Sequence, residues 1–174
     1  RDSCRWFERI RDLPTPLFLD SCYPHASAGR YDILTADPIR AHTYSADRTT
    51  GYTEIFEYFQ SLAESHREVC DGLQQLPDGL PFGGGLAGCL DYGLGKPLQH
   101  LPSESGTRAR VYLYGWALVQ DHWLARCTLI TLPALSAPMP RRAPILKRRC
   151  STSRETNYPS SSQARFTSRV KRCG

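Results

Sequence analysis

Residues 110–132 constrain the fold of this chain more than any other stretch. They read RVYLYGWALVQDHWLARCTLITL, two runs rich in β-branched and aromatic residues around a short polar turn at Asp121 and His122. Alternate positions of the first run are apolar on both faces: Val111, Leu113, Ala117 and Val119 on one, Tyr112, Tyr114, Trp116 and Leu118 on the other. A strand with two apolar faces needs cover on both sides. The run therefore predicts a β-hairpin at the centre of a packed sheet or sandwich.

Shorter elements precede this hairpin. Apolar residues at helical spacing predict an N-terminal helix that ends before Pro14. They are Trp6, Phe7, Ile10 and Leu13. Residues 17–21 and the stretch RYDILTADP read as strands, and IRAHTYS is a candidate partner of the second strand.

A second helix is predicted after the turn ADRTTG, with Thr53 as its N-cap. Its apolar face would carry Ile55, Phe56, Phe59, Leu62 and Ala63. Helices and strands in this mixture predict an α+β fold, with antiparallel β-sandwich-like sheets, flanking helices and a disordered basic tail.

The basic charge lies at one end of the chain. The chain has 22 Lys and Arg residues and 17 acidic residues. Residues 141–174 contain ten of the basic residues but only one acidic residue, Glu155. The composition also changes to Ser, Arg and Pro without periodicity after Ala137. We therefore predict a folded domain over residues 1–137 and an irregular basic tail over residues 138–174.

The origin of the tail has three interpretations. We favour a disrupted reading frame or a truncation, and the start at Arg1 is typical of a trimmed fragment. A genuine basic linker has a similar composition. A nucleic-acid arm would use the same charge, but no aromatic platform accompanies it, so no nucleic-acid partner is expected.

The seven cysteines are odd in number and contain no CxxC pair, which favours reduced thiols in a cytoplasmic protein over a zinc site or a disulfide framework. No apolar run approaches eighteen residues, so neither a membrane span nor a membrane partner is expected. The five histidines are scattered, and surface positions are expected for them.

The stretch LPFGGGLAGCLDYGLG, residues 80–95, is the densest in glycine. It lacks the Lys and Ser or Thr of a phosphate-binding loop, and its GxGxxG match at Gly83, Gly85 and Gly88 opens no amphipathic helix. We therefore interpret Gly83, Gly84, Gly85 and Gly88 as structural glycines of a strand that bends or packs closely against another backbone.

The same glycines carry a family resemblance. One segment resembles part of the amino-terminal domain of aminodeoxychorismate synthase component I and anthranilate synthase component I. It reads Phe82-Gly83-Gly84-Gly85-Leu86-Ala87-Gly88, followed by Asp91-Tyr92. Three further stretches agree with that domain in order and spacing, namely LPTPLFLDSCYP, GRYDILTADP and VYLYGWALVQDH. The R-Y-D-I segment with Ala36-Asp37-Pro38 resembles the aminodeoxychorismate type.

The resemblance implies an enzyme that converts chorismate and glutamine to 4-amino-4-deoxychorismate in folate (p-aminobenzoate) biosynthesis. The family's chemistry belongs to a larger carboxy-terminal domain, with Mg²⁺ and a glutamine amidotransferase subunit as partner. We find none of its motifs here, so no catalytic residue and no metal is expected on this chain, which alone is expected to be inactive. An anthranilate synthase fragment and a nonenzymatic module that binds an aromatic amino acid remain alternatives.

The resemblance also implies one binding site. Some family members bind tryptophan in this domain, and the matching positions are Ser21, Ala28, Gly29, Arg30 and Tyr31. A hydroxyl and strand-edge backbone groups would hold the zwitterion while Tyr31 covers the indole. Arg30 could instead pair with Asp32 or Asp37.

Overall fold

A computed structural model describes residues 3–46, 51–67, 76, 79–102, 106, 108–132 and 169–173. The described helices are α1 (Ser3–Phe7), α2 (Tyr52–Ser65) and two 3₁₀ helices (Tyr92–Gly95 and Pro97–Gln99). The described strands are β1 (Leu17–Leu19), β2 (Tyr31–Thr35), β3 (Arg40–Ser45), β4 (Gly85–Leu90), β5 (Arg108–Tyr114), β6 (Trp116–Asp121), β7 (Arg126–Thr131) and β8 (Arg169–Cys173).

The strands form two antiparallel sheets. The larger sheet has the order β1-β2-β6-β7-β8, and the smaller has the order β3-β5-β4. Strand β6 lies at the centre of the larger sheet and all six of its residues are buried. The predicted α+β class with antiparallel sheets is confirmed.

Both faces of the larger sheet are covered. On one face, Trp6, Phe7 and Leu13 of the N-terminal segment pack against a buried cluster of Ile10, Leu34, Ala36, Trp116, Leu118, Cys127 and Leu129. On the other, Leu76, Leu80 and Phe82 lie with Tyr31 against Ala117, Val119 and Ile130. The two apolar faces predicted for this strand therefore exist because separate segments cover them.

The chain changes sheets at Gly115, where the sequence predicted one continuous strand. Strand β5 belongs to the small sheet and β6 to the large one. The backbone N–H of Leu132 donates to the carbonyl of Gly115 at 2.8 Å, which holds the junction. A glycine tolerates such a bend because it has no Cβ. The prediction of a single two-run hairpin is wrong here, since only β6 and β7 form it.

The predicted pairing of IRAHTYS with β2 is also wrong. This stretch forms β3, which pairs with β5 from Arg40↔Leu113 to Ser45↔Arg108. Asp37 adopts a positive φ of 56° directly before Pro38. The backbone turns there and carries β3 away from β2 into the other sheet.

Helix α2 packs on the small sheet with three of the five residues predicted for its apolar face. Ile55 and Leu62 are buried. Phe59 packs against the buried cluster that contains Ile55. Phe56 and Ala63 are exposed. The N-cap is Gly51, not Thr53, and it makes no side-chain cap. The buried positions follow the 3.6-residue period, which excludes Phe56 from the core.

The glycine-rich stretch forms β4, paired with β5 from Gly85↔Tyr114 to Leu90↔Ala109. A Cβ at Gly88 would collide with the carbonyl oxygen of Arg110 and lie 2.8 Å from the Cα of Val111. Gly84 has a φ of 118°, and a Cβ there would lie 2.9 Å from the carbonyl oxygen of Tyr114. These two glycines allow backbones to approach closely, and the stretch is a paired strand and not a phosphate loop.

Within the predicted tail, the structure describes residues 169–173. They form β8, antiparallel to β7 from Cys127↔Cys173 to Thr131↔Arg169. The expectation of irregular chain does not hold for these five residues, because an open strand edge accepts main-chain hydrogen bonds from many sequences. The domain boundary at residue 137 and the rest of the tail lie outside the described residues and stay predictions.

Candidate functional site

Three of the motif stretches meet at one end of the larger sheet. Strand β1 leads to Ser21, β2 starts at Tyr31, and β6 ends at Asp121. These strands are neighbours, and Tyr31 is registered opposite Asp121. The residues that follow β1 and precede β2 therefore lie beside the β6–β7 turn.

Asp32 is the buried centre of this end of the sheet. Its Oδ1 accepts hydrogen bonds from the backbone N–H of Ser21 at 2.9 Å and from its hydroxyl at 2.8 Å. The Nε2 of His122 lies 2.8 Å from the Oδ2. Burial raises the pKa of Asp32, but the surrounding hydrogen bonds outweigh burial, and the pKa is lowered. Asp32 is therefore a carboxylate at neutral pH.

The Ser21, Asp32 and His122 side chains are not arranged as a hydrolytic triad. In a triad the histidine lies between the serine and the acid, so that it can remove the hydroxyl proton. Here the acid lies between the other two, and the Ser21 hydroxyl donates a hydrogen bond to Asp32. The arrangement orients groups and does not activate a nucleophile.

Arg30 forms an ion pair with Asp121 across the β2–β6 boundary. The Nη2 of Arg30 lies 2.9 Å from the Oδ2 of Asp121, and its Nε lies 3.3 Å from the same oxygen. The Oδ1 accepts the backbone N–H groups of Trp123 and Leu124 at 3.0 and 3.1 Å. The pairing of Arg30 with Asp32 or Asp37 considered from the sequence is wrong, because register places Asp121 opposite residue 31.

These contacts also set the charge of the pair. Burial raises the pKa of Asp121, but hydrogen bonds from Arg30 and the turn backbone lower it further than burial raises it. The hydrogen bond to Asp121 raises the pKa of Arg30. Both groups are charged at neutral pH, and the pair fixes the guanidinium beside the aromatic rings.

Aromatic rings enclose the guanidinium. The Cζ of Arg30 lies 4.6 Å from the ring centroid of Tyr31 and 4.9 Å from that of Trp123. Tyr23 stacks on His122 with centroids 4.6 Å apart and planes 11° apart. Trp123 is 61% exposed and Tyr23 is 47% exposed. The site therefore presents stacked aromatic surface to solvent above two buried carboxylates.

Three of the five predicted site residues make side-chain contacts at this end of the sheet, and two do not. Ser21, Arg30 and Tyr31 take part in the contacts described above. Gly29 is buried, and a Cβ there would lie 2.5 Å from the carbonyl oxygen of Ser21. Ala28 is exposed in the same loop. Gly29 allows the loop to close on the end of β1.

Four site residues were missed from the sequence, namely Asp32, Asp121, His122 and Trp123. Asp121 and His122 were assigned to a hairpin turn and Trp123 to the run that follows it, and Asp32 was considered only as a partner of Arg30. The surface position expected for all histidines is wrong for two of them, since His66 is buried and the His122 side chain is 10% exposed. The register of β2 with β6 was the missing information.

The part of the chain that the structure describes contains no group of three or more His, Cys, Asp or Glu side chains that could hold a metal ion. No helix among the described residues is long and apolar enough to cross a membrane.

Comparison with known proteins gives three relatives with the same name. The chain is 30% identical to aminodeoxychorismate synthase component 1 of Salmonella typhimurium (strain LT2) over 139 residues, which cover 72% of this chain and 30% of that protein. It is 29% identical to the Escherichia coli (strain K12) protein and 28% identical to the Klebsiella aerogenes protein, covering 67% of this chain and 28% of each relative.

No family model and no solved structure matches the chain. The chain spans under a third of the length of the curated relatives it matches. The three similarities support the family relationship that the motifs indicate.

Proposed function

Because this chain is related to aminodeoxychorismate synthase component 1, we propose that it supplies part of such an enzyme. The complete enzyme would act in the cytoplasm with a glutamine amidotransferase subunit. It would convert chorismate and glutamine to 4-amino-4-deoxychorismate for folate synthesis. The observation that supports this best is the meeting of three motif stretches on the adjacent strands β1, β2 and β6.

We assign no catalytic residue to the described part of the chain. Its polar groups at the end of the sheet are already paired with one another, and the Ser21 hydroxyl contacts a carboxylate whose lowered pKa makes it a weak base, not a histidine. The role we propose for this part is a rigid scaffold that carries a ligand site. Chemistry would require the portion of the enzyme that this chain does not match.

The ligand we propose is tryptophan or a similar aromatic amino acid, bound at the end of β1 and β2. Tyr31 and Trp123 offer ring surface for stacking an indole. The Arg30 side chain is 31% exposed and provides positive charge for a carboxylate, whereas the buried carboxylates of Asp32 and Asp121 contribute negative potential beneath the site. Opposite charges next to aromatic rings suit a zwitterion with an aromatic side chain.

Calorimetry with tryptophan tests the ligand. We expect heat of binding with the 174-residue chain and binding weakened about tenfold or more in Arg30→Gln, since a charge-assisted contact is lost. Arg11→Gln is the control, because among the described residues Arg11 is exposed and pairs with its sequence neighbours Glu8 and Asp12. No heat with the original chain would remove the ligand and leave the scaffold.

Product analysis tests the enzyme class. The purified chain, supplied with chorismate, ammonia and Mg²⁺, is expected to form no product. A chimera in which residues 3–132 replace the matched segment of the Escherichia coli relative is expected to form 4-amino-4-deoxychorismate. Amination by the chain alone, or anthranilate with pyruvate from it, would contradict the assignment of the chemistry to the unmatched portion, and a folded but inactive chimera would contradict the proposal.

A further inference from the structure

Two histidines from different elements meet edge to edge on the small sheet. His42 lies in β3, and His66 follows the last turn of α2. Their Nε2 atoms are 3.2 Å apart, and their ring centroids are 5.2 Å apart at an interplanar angle of 64°. His66 is 6% exposed, whereas His42 is half-buried. One side of the pair is therefore fixed in the protein and the other is open to solvent.

The separation of the two nitrogens matches a metal chelate. Two imidazole ligands at a Zn–N distance of about 2.0–2.1 Å, on a tetrahedral ion, have nitrogens about 3.3–3.4 Å apart. As neutral rings the pair can share only one proton, so one Nε2 donates and the other accepts. When the proton of the donating ring lies on its Nδ1 instead, both Nε2 lone pairs are free for a metal ion, and neither ring needs a large movement.

We propose that His42 and His66 form a binding site for a divalent transition-metal ion of the zinc type, with water completing the coordination. Imidazole is a common ligand for this class of ion. The described residues supply no third His, Cys, Asp or Glu ligand. The site is separate from the end of the larger sheet described above, and the inference does not depend on the proposed function.

The surroundings both favour and oppose the ion. Burial of His66, which is 6% exposed, disfavours a charged imidazolium, and a ligand must bind as the neutral ring. Arg40, two residues before His42 on the same side of β3, repels a cation. Because Arg40 is exposed, solvent screens this repulsion.

A bound ion would fasten α2 to β3. His66 is held at the end of the helix, where its backbone N–H donates to the carbonyl of Ala63 at 3.2 Å. Helix α2 otherwise contacts the small sheet through the cluster around Ile55 and Phe59. An ion bound only in the folded state raises stability according to its concentration and affinity.

Zinc titration of the 174-residue chain at pH 7.5 tests the proposal, with calorimetry for affinity and thermal unfolding for the midpoint. We expect binding with a zinc-dependent rise of the midpoint in the original chain. His42→Gln should weaken binding at least about tenfold and abolish the rise, since one of two protein ligands is lost. Arg40→Gln should bind zinc more tightly, and His25→Gln, an exposed loop position, should bind unchanged.

Equal zinc affinity in the original chain and in His42→Gln would overturn the proposal and place the ion on other ligands, such as the exposed thiols of Cys22 and Cys89. Absence of zinc binding by the original chain would also overturn it. His66→Gln alters a buried ring and can fail to fold, so His42→Gln and Arg40→Gln decide the outcome. Amination assays and tryptophan binding have no bearing on this result.

Discussion

Asp32 and Asp121 are buried carboxylates on neighbouring strands, and each is stabilised by different donors. Asp32 accepts two hydrogen bonds from Ser21, and Asp121 accepts two backbone N–H groups and the guanidinium of Arg30. A buried charge without such partners is costly. At the scale of single residues, these acids position the turn and the loop around the candidate site.

Gly88 shows the opposite requirement, a position where any side chain is excluded. Gly88→Ala is expected to lower the free energy of unfolding by about 1–3 kcal/mol, because the new Cβ would displace the backbone of Arg110 and Val111 in the paired strand. Urea denaturation measures this change. Gly95→Ala is the control, since a Cβ there meets nothing within 4 Å, and a change within about 0.5 kcal/mol is expected. Equal effects would contradict the packing argument.

At the scale of elements, the β6–β7 turn carries two of the unpredicted site residues. The backbone N–H of His122 donates to the carbonyl of Arg30 at 2.9 Å, and Asp121 accepts the N–H of Trp123. The first bond attaches the turn to the residue before β2, and the second closes the turn itself. The turn therefore positions His122 and Trp123 even though its sequence has no glycine.

The same turn contains a strained residue, Ala125, with a φ of 48°. Ala125→Gly is expected to raise the free energy of unfolding by about 0.5–1 kcal/mol, because glycine adopts this conformation without a Cβ penalty. The matched control is Ala63→Gly on the exposed face of α2, where the same substitution should lower it by about 0.5–1 kcal/mol. Thermal or urea unfolding of both variants gives the two signs, and a loss of stability in Ala125→Gly would contradict the strain.

At the scale of the whole molecule, β8 closes one edge of the larger sheet. It pairs with β7 along five residues, although it follows β7 by a long stretch of chain. Four residues of β7 are buried, so an open edge would present an apolar strand to other molecules. Pairing of β8 protects the sheet from association through that edge.

Removing residues 169–174 is expected to lower the unfolding midpoint by at least roughly 2–4 °C and to increase aggregation, because β7 loses its partner strand. Calorimetry and light scattering measure the two effects. Removal of Gly174 alone is the control, since β8 ends at Cys173, and little change is expected. If both truncations behaved alike, β8 would contribute nothing to the edge.

Much of the fold followed from local patterns, whereas the site did so only in part. The apolar alternation predicted β6 and β7 because side chains alternate faces in a strand, and the helical period predicted α2. Ser21, Arg30 and Tyr31 were identified from the motifs. Asp121, His122 and Trp123 were not, because their roles arise from a register with β2 that no local pattern encodes.

The sequence by itself determined the antiparallel α+β class, the positions of most strands and the resemblance that the motifs carry. Only the tertiary structure decided that the chain changes sheets at Gly115, that β3 pairs with β5, and that β8 joins β7. The physical reason is the range of the interactions. Periodicity and turn residues act over a few positions, whereas strand pairing joins residues far apart in the chain and depends on which edges and apolar faces are left to cover.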